Sequence, residues 1–569
     1  MLKLNNVSFA INDNGEELHL IKEASISVPP GKFMAIVGPS GCGKTTLLKI
    51  IAGINEENSG DISWGERNLS EQDLTASEVG YVPQFSIAFD ELTIKESVKY
   101  ALRLRVNKEQ APNQSNLVST ILEKVGLKEL SDRKVKVLSG GQKRRLSLAL
   151  ELVTDPTLLL CDEVTSGLDP RSEKEIVTLL HSLSQNKKRI VVNVTHSLNH
   201  LDLYDIILVL YEGQVVYQGP PDQISHYFSV ESAEEIYPLL GCREANEWHE
   251  SWQKHKHTYL IDESTFTDAD ADADADAEPI PNSYTPSPIS QFIALISRRF
   301  KIFSRDKTQL ILQAAMILGF PLLVAVFGLD GITQPKTLPS KSTGSIIEQF
   351  NHQVSVSESQ IKIGSLISGL IMFQVILLTL IASNNSAREI AGEREIFEKE
   401  RFGGLHTSSY IASKIAFLTI LVLIQSLWMG IFVQICIPSL PGSTMTRLLI
   451  LFMVTAAMTS VCLGISGIMK SPEQSSLLSI YLVGFQLPLS GAILTLPHWL
   501  EPVSRPFISA FWAWSANLDV MKEGYYAQSI HAVTQESSLQ PLNICIAWLS
   551  VHILTGIFVA YAGTKRPQW

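Results

Sequence analysis

Along the first 230 residues, short apolar runs alternate with polar stretches of helical pattern. FMAIV (Phe33–Val37), LLLC (Leu158–Cys161) and IVVNV (Ile190–Val194) are bounded by polar segments, as strands buried on both faces of a parallel sheet are. Helical stretches separate them, which predicts an α/β domain over residues 1–230. From Glu231 to about Pro288 the periodicity fades into DADADADADAE, residues 268–278. Aspartate is disfavoured in strands and repels itself in sequence, so this run is expected to be extended and solvated within a linker over residues 231–288, in which the pattern around Trp248 and Trp252 assigns no element.

Beyond residue 289 the pattern changes again. Six long apolar runs follow, at about 310–328, 364–382, 412–437, 447–468, 477–496 and 543–563. Each approaches the ~20 residues that cross ~30 Å of hydrocarbon as a helix. Buried helices of a soluble core would carry periodic polar faces, and IAFLTILVLIQSLWMGIFVQICI has almost none. Residues 289–569 therefore read as a connecting helix and an all-α, six-helix transmembrane domain.

Charge orients these spans. Arg298, Arg299, Lys301, Arg305 and Lys307 precede the first; Arg388, Arg394, Lys399, Arg401 and Lys414 lie between the second and third; Lys565 and Arg566 follow the last. Six crossings put all three groups on one side, the cytosol, with Arg447 in the outer turn PSLPGSTMTR as the exception. The expected location is a multi-pass position in the cell membrane, the first domain being cytosolic. No basic region followed by an apolar run opens the chain, so no cleaved signal peptide is expected. The net charge of −11 falls largely on the aspartate run and does not suggest a nucleic-acid partner. Six cysteines without a CxxC pair imply no disulfide framework.

Chemistry enters with GPSGCGKT, Gly38–Thr45, which has the G-x-x-x-x-G-K-[ST] spacing between the FMAIV strand and the helical TLLKIIAGI. Its glycines let backbone N–H groups converge on phosphates, Lys44 neutralises the β and γ oxygens, and Thr45 supplies a magnesium ligand. LLLCDE ends an apolar strand in two carboxylates. Asp162 can reach the magnesium shell, and Glu163 can hold the attacking water as a general base. LSGGQ, Leu138–Gln142, is a second serine-led, glycine-paired anion motif. Cys42, inside the phosphate loop, reads as a tolerated small residue.

In order and spacing these motifs resemble the ATP-binding cassette transporters over nearly the whole chain. GPSGCGKT is similar to the Walker A motif, LLLCDE to Walker B, Gln84 in YVPQ to the Q-loop, His196 in VTHS to the switch histidine, SGLD (Ser166–Asp169) to the D-loop, and LSGGQ to the signature. The resemblance implies ATP and Mg2+ as cofactors, held by Gly38, Ser40, Gly41, Cys42, Gly43, Lys44, Thr45 and Thr46, with Thr45, Gln84 and Asp162 toward the metal. It makes Glu163, His196 and Gln84 the catalytic set. Ser139, Gly140, Gly141, Gln142 and Asp169 would serve a nucleotide shared with a second chain. Phe9 is the candidate aromatic for stacking on adenine, a buried strand-end aromatic being the alternative.

Nucleotide domain first and spans second further resembles the G subfamily of half-transporters, of the white and pleiotropic-drug-resistance type. TSGLD, the connecting-helix-like SQFIALISRRFKIFSRD, and EREIFEKERFGGLHTSSYIASK, similar to their coupling segment, carry that likeness. Val164 replaces the usual proline of DEPTSGLD, and residues 497–542 have no cysteine where animal members form disulfides. The implied function is export of an apolar or amphipathic, lipid-like substrate across the bilayer, driven by ATP hydrolysis in a homodimer or heterodimer of half-transporters. A membrane-tethered regulatory ATPase that moves no substrate is the alternative. The segment Glu389–Phe402, dense in both charge signs, would couple the domains or form a solvated helix laced with ion pairs. The loop with Trp499, Trp512 and Trp514 would re-enter the outer leaflet or form an interfacial belt.

Overall fold

The computed structural model describes the chain apart from residues 14–15, 70–73, 86, 109–112, 186–188, 260–284, 330–331, 333–345, 493–495, 523–525, 535–538 and 567–569. The aspartate run thus lies outside the described residues. Two compact units result: Met1–Ala294 together with Lys399–Leu405, and Leu295–Glu398 together with His406–Gln568.

Among the described residues ten strands build the first unit: β1 (Leu2–Asp13), β2 (Glu16–Val28), β3 (Phe33–Val37), β4 (Ser59–Trp64), β5 (Arg67–Asn68), β6 (Val79–Val82), β7 (Leu158–Asp162), β8 (Ile190–Val194), β9 (Ile206–Tyr211) and β10 (Gln214–Gly219). They form a four-stranded sheet, β2-β1-β4-β5, and a six-stranded one, β10-β9-β3-β8-β7-β6. Within the second, β9, β3, β8, β7 and β6 run parallel, and β3, β6, β7 and β8 are buried at every position. That burial on both faces is why their sequences show no alternation.

Helices α1 (Lys44–Ile51), α2 (Ile94–Arg105), α3 (Gln114–Lys124), α4 (Gly140–Glu151) and α5 (Pro170–Ser184) belong to the same unit. Thr93 and Ser139 each close a capping box at the start of α2 and α4, while Asp169 caps α5 by accepting from Ser172 N–H. Packing does not stop at the expected boundary of residue 230. After α6 (Ile224–Phe228) come α7 (Ile236–Leu240) and α8 (Ala245–Tyr259), and Trp248 and Trp252 of α8 join the same hydrophobic core. The expectation of a linker from residue 231 therefore gives way to ordered structure up to Tyr259. The sequence conceals this because α8 buries only one narrow stripe.

The second unit is helical: α9 (Pro288–Arg305), α10 (Lys307–Phe327), α11 (Ile346–Ser386), α12 (Arg394–Phe402), α13 (Thr407–Cys436), α14 (Thr444–Ile468), α15 (Pro472–Gln486), α16 (Glu501–Ser504), α17 (Ser509–Met521), α18 (Ala527–Thr534) and α19 (Leu542–Lys565), with α9 and α12 each contributing residues to both units. Five helices among the described residues are long and apolar enough to cross a membrane: α10, α11 with its continuation, α13, α14 and α19. The span expected at 477–496 is α15, which has 15 residues. At ~1.5 Å per residue it reaches about 22 Å, short of the ~30 Å core. It stops before Pro488, whose missing N–H cannot continue a helical ladder.

Helices α14 and α19 approach most closely where side chains vanish. A Cβ on Gly556 would lie 2.4 Å from the Ser460 carbonyl, and one on Gly563 2.4 Å from Gly467 O. Small residues allow such contact where lipid gives helices no hydrophobic reason to associate. Buried amides tie three other helices: Gln313 Nε2 donates to Asn385 Oδ1 at 2.6 Å, Asn385 Nδ2 to Gln425 Oε1 at 2.8 Å, and Gln425 Nε2 to Gln313 Oε1 at 2.8 Å. Of the three tryptophans, Trp512 and Trp514 are buried in α17 while Trp499 is 72% exposed, so the first two are core rather than a belt. The spans are also less free of charge than the sequence suggests: Arg447 is buried with Gln434 Oε1 at 2.7 Å, and His552 is buried in α19 against Ser509 and Pro506.

Candidate nucleotide site

The loop from Gly38 to Gly43 joins the buried end of β3 to the start of α1. Close backbone approach fixes its composition. A Cβ on Gly43, which has φ 102°, would lie 2.6 Å from Leu20 O on β2, and one on Gly38 2.2 Å from Leu210 O on β9. Ser40 and Gly41 are exposed on the rim, with nothing within 4 Å of a Cβ on Gly41. Lys44 is buried, its Nζ donating to Gly38 O at 2.9 Å and Pro39 O at 2.8 Å. Burial pushes the Cys42 thiol up despite the opposing Lys44 charge, which fits a small packing residue rather than a reactive thiolate.

Two hydroxyls and one carboxylate meet beside the loop. Thr45 Oγ1 donates to Asp162 Oδ1 at 2.9 Å, and Tyr81 OH donates to Asp162 Oδ2 at 3.1 Å. Burial raises the Asp162 carboxyl above its ordinary range, opposed by these two hydroxyl bonds. Hydroxyl and carboxylate oxygens are the hard donors Mg2+ selects, and together with the open rim at Ser40–Gly41 they fit a magnesium nucleotide. Thr46 follows in the first turn of α1.

Glu163 sits one residue beyond β7 with φ 47°, a strained left-handed backbone for a non-glycine residue. Its N–H donates to Val194 O at 3.0 Å, and Oε2 accepts from Gln84 Nε2 at 2.8 Å. His196 Nδ1 is 3.9 Å from the same oxygen, too far for a hydrogen bond. Gln84, Glu163 and His196 are thus together, although the Gln84 amide is committed to Glu163 and not to Asp162 or Thr45.

Ser139 and Gly140 lie exposed at the start of α4. The Ser139 hydroxyl is used in its own helix cap, and the nearest neighbours of Gly140 and Gly141 are Leu168 and Ser172 beside the start of α5. Among the described residues no hydrogen bond joins Ser139–Gln142 to the phosphate loop. Asp169 likewise serves its own cap. Phe9 is half-buried on β1 opposite Ile21, whose Cδ1 is 2.9 Å from a Cβ built on Gly43, so it lies one strand from the loop.

Two residues escape a reading of motifs. Tyr81 looks like core in an apolar strand, and Tyr237, beyond residue 230, accepts the Gly38 N–H at 3.1 Å. Only a hydroxyl inside an otherwise aliphatic run hints at the first, and nothing local hints at the second. The segment 399–405 also packs within this unit: Lys399 Nζ lies 3.0 Å from Glu151 Oε1, and Arg105 Nη1 2.6 Å from Glu151 Oε2. Both cations are buried, as is Arg394, so α12 is not a solvated helix.

Fold and site together define a phosphate-loop nucleotide-binding domain joined in one chain to a helical membrane domain. Residues 21–166 match the ABC transporter family and residues 290–513 the ABC-2 type transporter family. The ABC transporter ATP-binding/permease protein Rv1747 of Mycobacterium tuberculosis is 28% identical over 578 residues, which cover 96% of this chain and 61% of the relative's length. The energy-coupling factor transporter ATP-binding protein EcfA1 of Mycoplasma mobile is 33% identical over 228 residues, 39% of this chain and 81% of its own. A solved dimeric structure of MJ0796, a bacterial ABC transporter cassette, is 27% identical with a TM-score of 0.36, covering 39% of this chain and 99% of the cassette. The chain belongs to the ABC transporter family and is a multi-pass membrane protein with the ATP-binding domain ahead of an ABC-2 type membrane domain.

Proposed function

We propose that this protein is an ATP-driven exporter of an amphipathic or lipid-like organic molecule, working as a dimer of two such chains. One observation carries the dimer: Ser139 and Gly140 stand exposed and serve only their own helix, while Lys44, Thr45, Asp162 and Glu163 are grouped without them. A helix N-terminus led by serine and two glycines suits phosphate, and a second copy supplies it across a two-fold axis. Each of two sites then has its phosphate loop from one chain and its signature from the other.

Within a site, magnesium-bound ATP supplies the phosphoryl group and its charge. With it bound, Lys44 would exchange the Gly38 and Pro39 carbonyls for phosphate oxygens, Thr45 and Asp162 would hold the metal side, and Glu163 would take the proton of an attacking water. His196 and Gln84 flank Glu163 and orient it. Charge-assisted contacts of ~1.5–3 kcal/mol each, several per site, are enough to close a dimer that hydrolysis reopens. Helices α9 and α12 each contribute residues to both units, so they are the segments through which closure would be felt. Support for an apolar substrate comes from the charge-poor helices and from a cavity of about 300 Å3 lined by Phe327, Ser365, Leu366, Gly369, Leu370 and Phe373.

Inverted vesicles containing the purified protein test this. ATP-dependent accumulation of a fluorescent lipid or amphipathic dye, absent with Glu163→Gln, is expected. ATP hydrolysis without accumulation of any amphipathic compound would favour the regulatory ATPase instead.

A further inference from the structure

Asp162 is held by one hydroxyl on each oxygen, and only one of them, Thr45, belongs to the phosphate loop. The other is Tyr81, 2% exposed on β6, paired in register with Leu160 two residues before Asp162. Its ring meets Phe402 edge-on, centroids 6.3 Å apart at 70°. Phe402 is the last residue of α12 and packs against the core of the nucleotide unit. Three residues earlier on the same helix turn, Lys399 is anchored to Glu151 at 3.0 Å. The Cα of Gly80, beside Tyr81, is so close to Glu151 that an added Cβ would lie 3.3 Å from the Glu151 Cβ. One short segment therefore holds the end of α4 at Glu151 and the edge strand β6 at Tyr81, whose hydroxyl bonds the metal-side carboxylate.

We propose that Tyr81 is a positioning residue through which residues 399–405 set the orientation of Asp162 toward the metal, by a route separate from Gln84. The ring is fully enclosed, so a shift of Phe402 cannot be absorbed by solvent and moves the phenol with it. The hydroxyl then improves or loses its bond to Asp162 Oδ2 while the Thr45 bond to Oδ1 stays in place. Gln84 has no part in this route, its amide being bonded to Glu163. Metal affinity thus becomes sensitive to the position of residues 399–405, and reciprocally metal binding favours one position of that segment. The proposal rests on the nucleotide-site reading of Asp162.

The test uses full-length protein in detergent with the non-hydrolysable analogue AMP-PNP and Mn2+ as the metal, free Mn2+ being read by electron paramagnetic resonance. Tyr81→Phe keeps the ring and removes one hydrogen bond to a charged group, and is expected to weaken Mn2+ binding about tenfold. Phe402→Ala should weaken it by a smaller factor, roughly threefold, with Phe402→Leu intermediate between it and wild type. The double variant Tyr81→Phe/Phe402→Ala should be no weaker than Tyr81→Phe alone, because the second change acts only through the hydroxyl already removed. Binding of AMP-PNP without metal should be unchanged in all variants, which separates a positioning effect from unfolding. Tyr81→Phe affinity within twofold of wild type, or multiplicative losses in the double variant, would overturn this proposal alone. Failure of the wild-type protein to take up Mn2+ with the nucleotide would overturn the nucleotide-site reading as well.

Discussion

Glu151 offers the sharpest test of how the nucleotide unit is held together. It is 1% exposed, with Arg105 Nη1 2.6 Å from one oxygen and Lys399 Nζ 3.0 Å from the other. Burial works against its carboxylate, but the two cations outweigh that and hold its pKa below the ordinary carboxylate range. Glu151→Gln keeps the shape and leaves two buried cations facing each other. Breaking a buried ion pair in this way costs about 3–5 kcal/mol. For a unit of this size each kcal/mol lowers the melting temperature by about 2–4 °C, so a fall of about 6–20 °C is expected. Lys399→Met should cost far less, since Glu151 keeps Arg105, and adding it to Glu151→Gln should recover part of the loss by removing one unpaired cation. Scanning fluorimetry at a fixed rate, on the transition that magnesium ATP raises, is the assay. Because the folded pKa is depressed, the triad's contribution is present at neutral pH and is lost only as the pH falls below about 4. A Glu151→Gln transition within 2 °C of wild type would refute the idea that this triad is a buried, mutually dependent unit.

Two further outcomes follow from the site and the bundle. Glu163→Gln should bind ATP with near-normal affinity yet lose hydrolysis by about 10²–10⁴-fold in a phosphate-release assay, the range for removing a general base. Gly556→Ala places a methyl 2.4 Å from the Ser460 carbonyl and should destabilise the α14–α19 pair by about 1–3 kcal/mol, measured as a lowered melting temperature in detergent.

Much of this was legible in the residues, for reasons that differ along the chain. β3, β7 and β8 announce themselves because strands buried on both faces leave continuous apolar runs, and the phosphate loop because close approach at Gly38 and Gly43 admits no side chain. Gln84 and His196 both approach Glu163, the chain neighbour of Asp162. Illegible were contacts made between distant segments. Tyr81, Tyr237 and Glu151 act on atoms between 81 and 248 residues away in the chain, and no local pattern encodes such partners. The apolar window at 477–496 runs on past the end of α15 before Pro488, and α8 leaves little trace because two tryptophans in a polar stretch carry its buried face. Lys399 illustrates the same limit: a run of mixed charge looks solvated until the buried partner is seen.

The shared nucleotide site is the centre of the account, and one mixed dimer tests it. One chain carries Lys44→Ala and the other Ser139→Arg, purified as the heterodimer. If each site takes its loop from one chain and its signature from the other, both lesions meet in a single site and the second site is wholly intact. If each chain serves its own nucleotide, no intact site survives. A control dimer carries both substitutions on one chain opposite a wild-type partner, which reverses the two expectations. Single-turnover phosphate release should therefore be higher in the split-lesion dimer than in the control; the opposite ranking would mean that Ser139 serves the nucleotide of its own chain and would contradict the dimer mechanism.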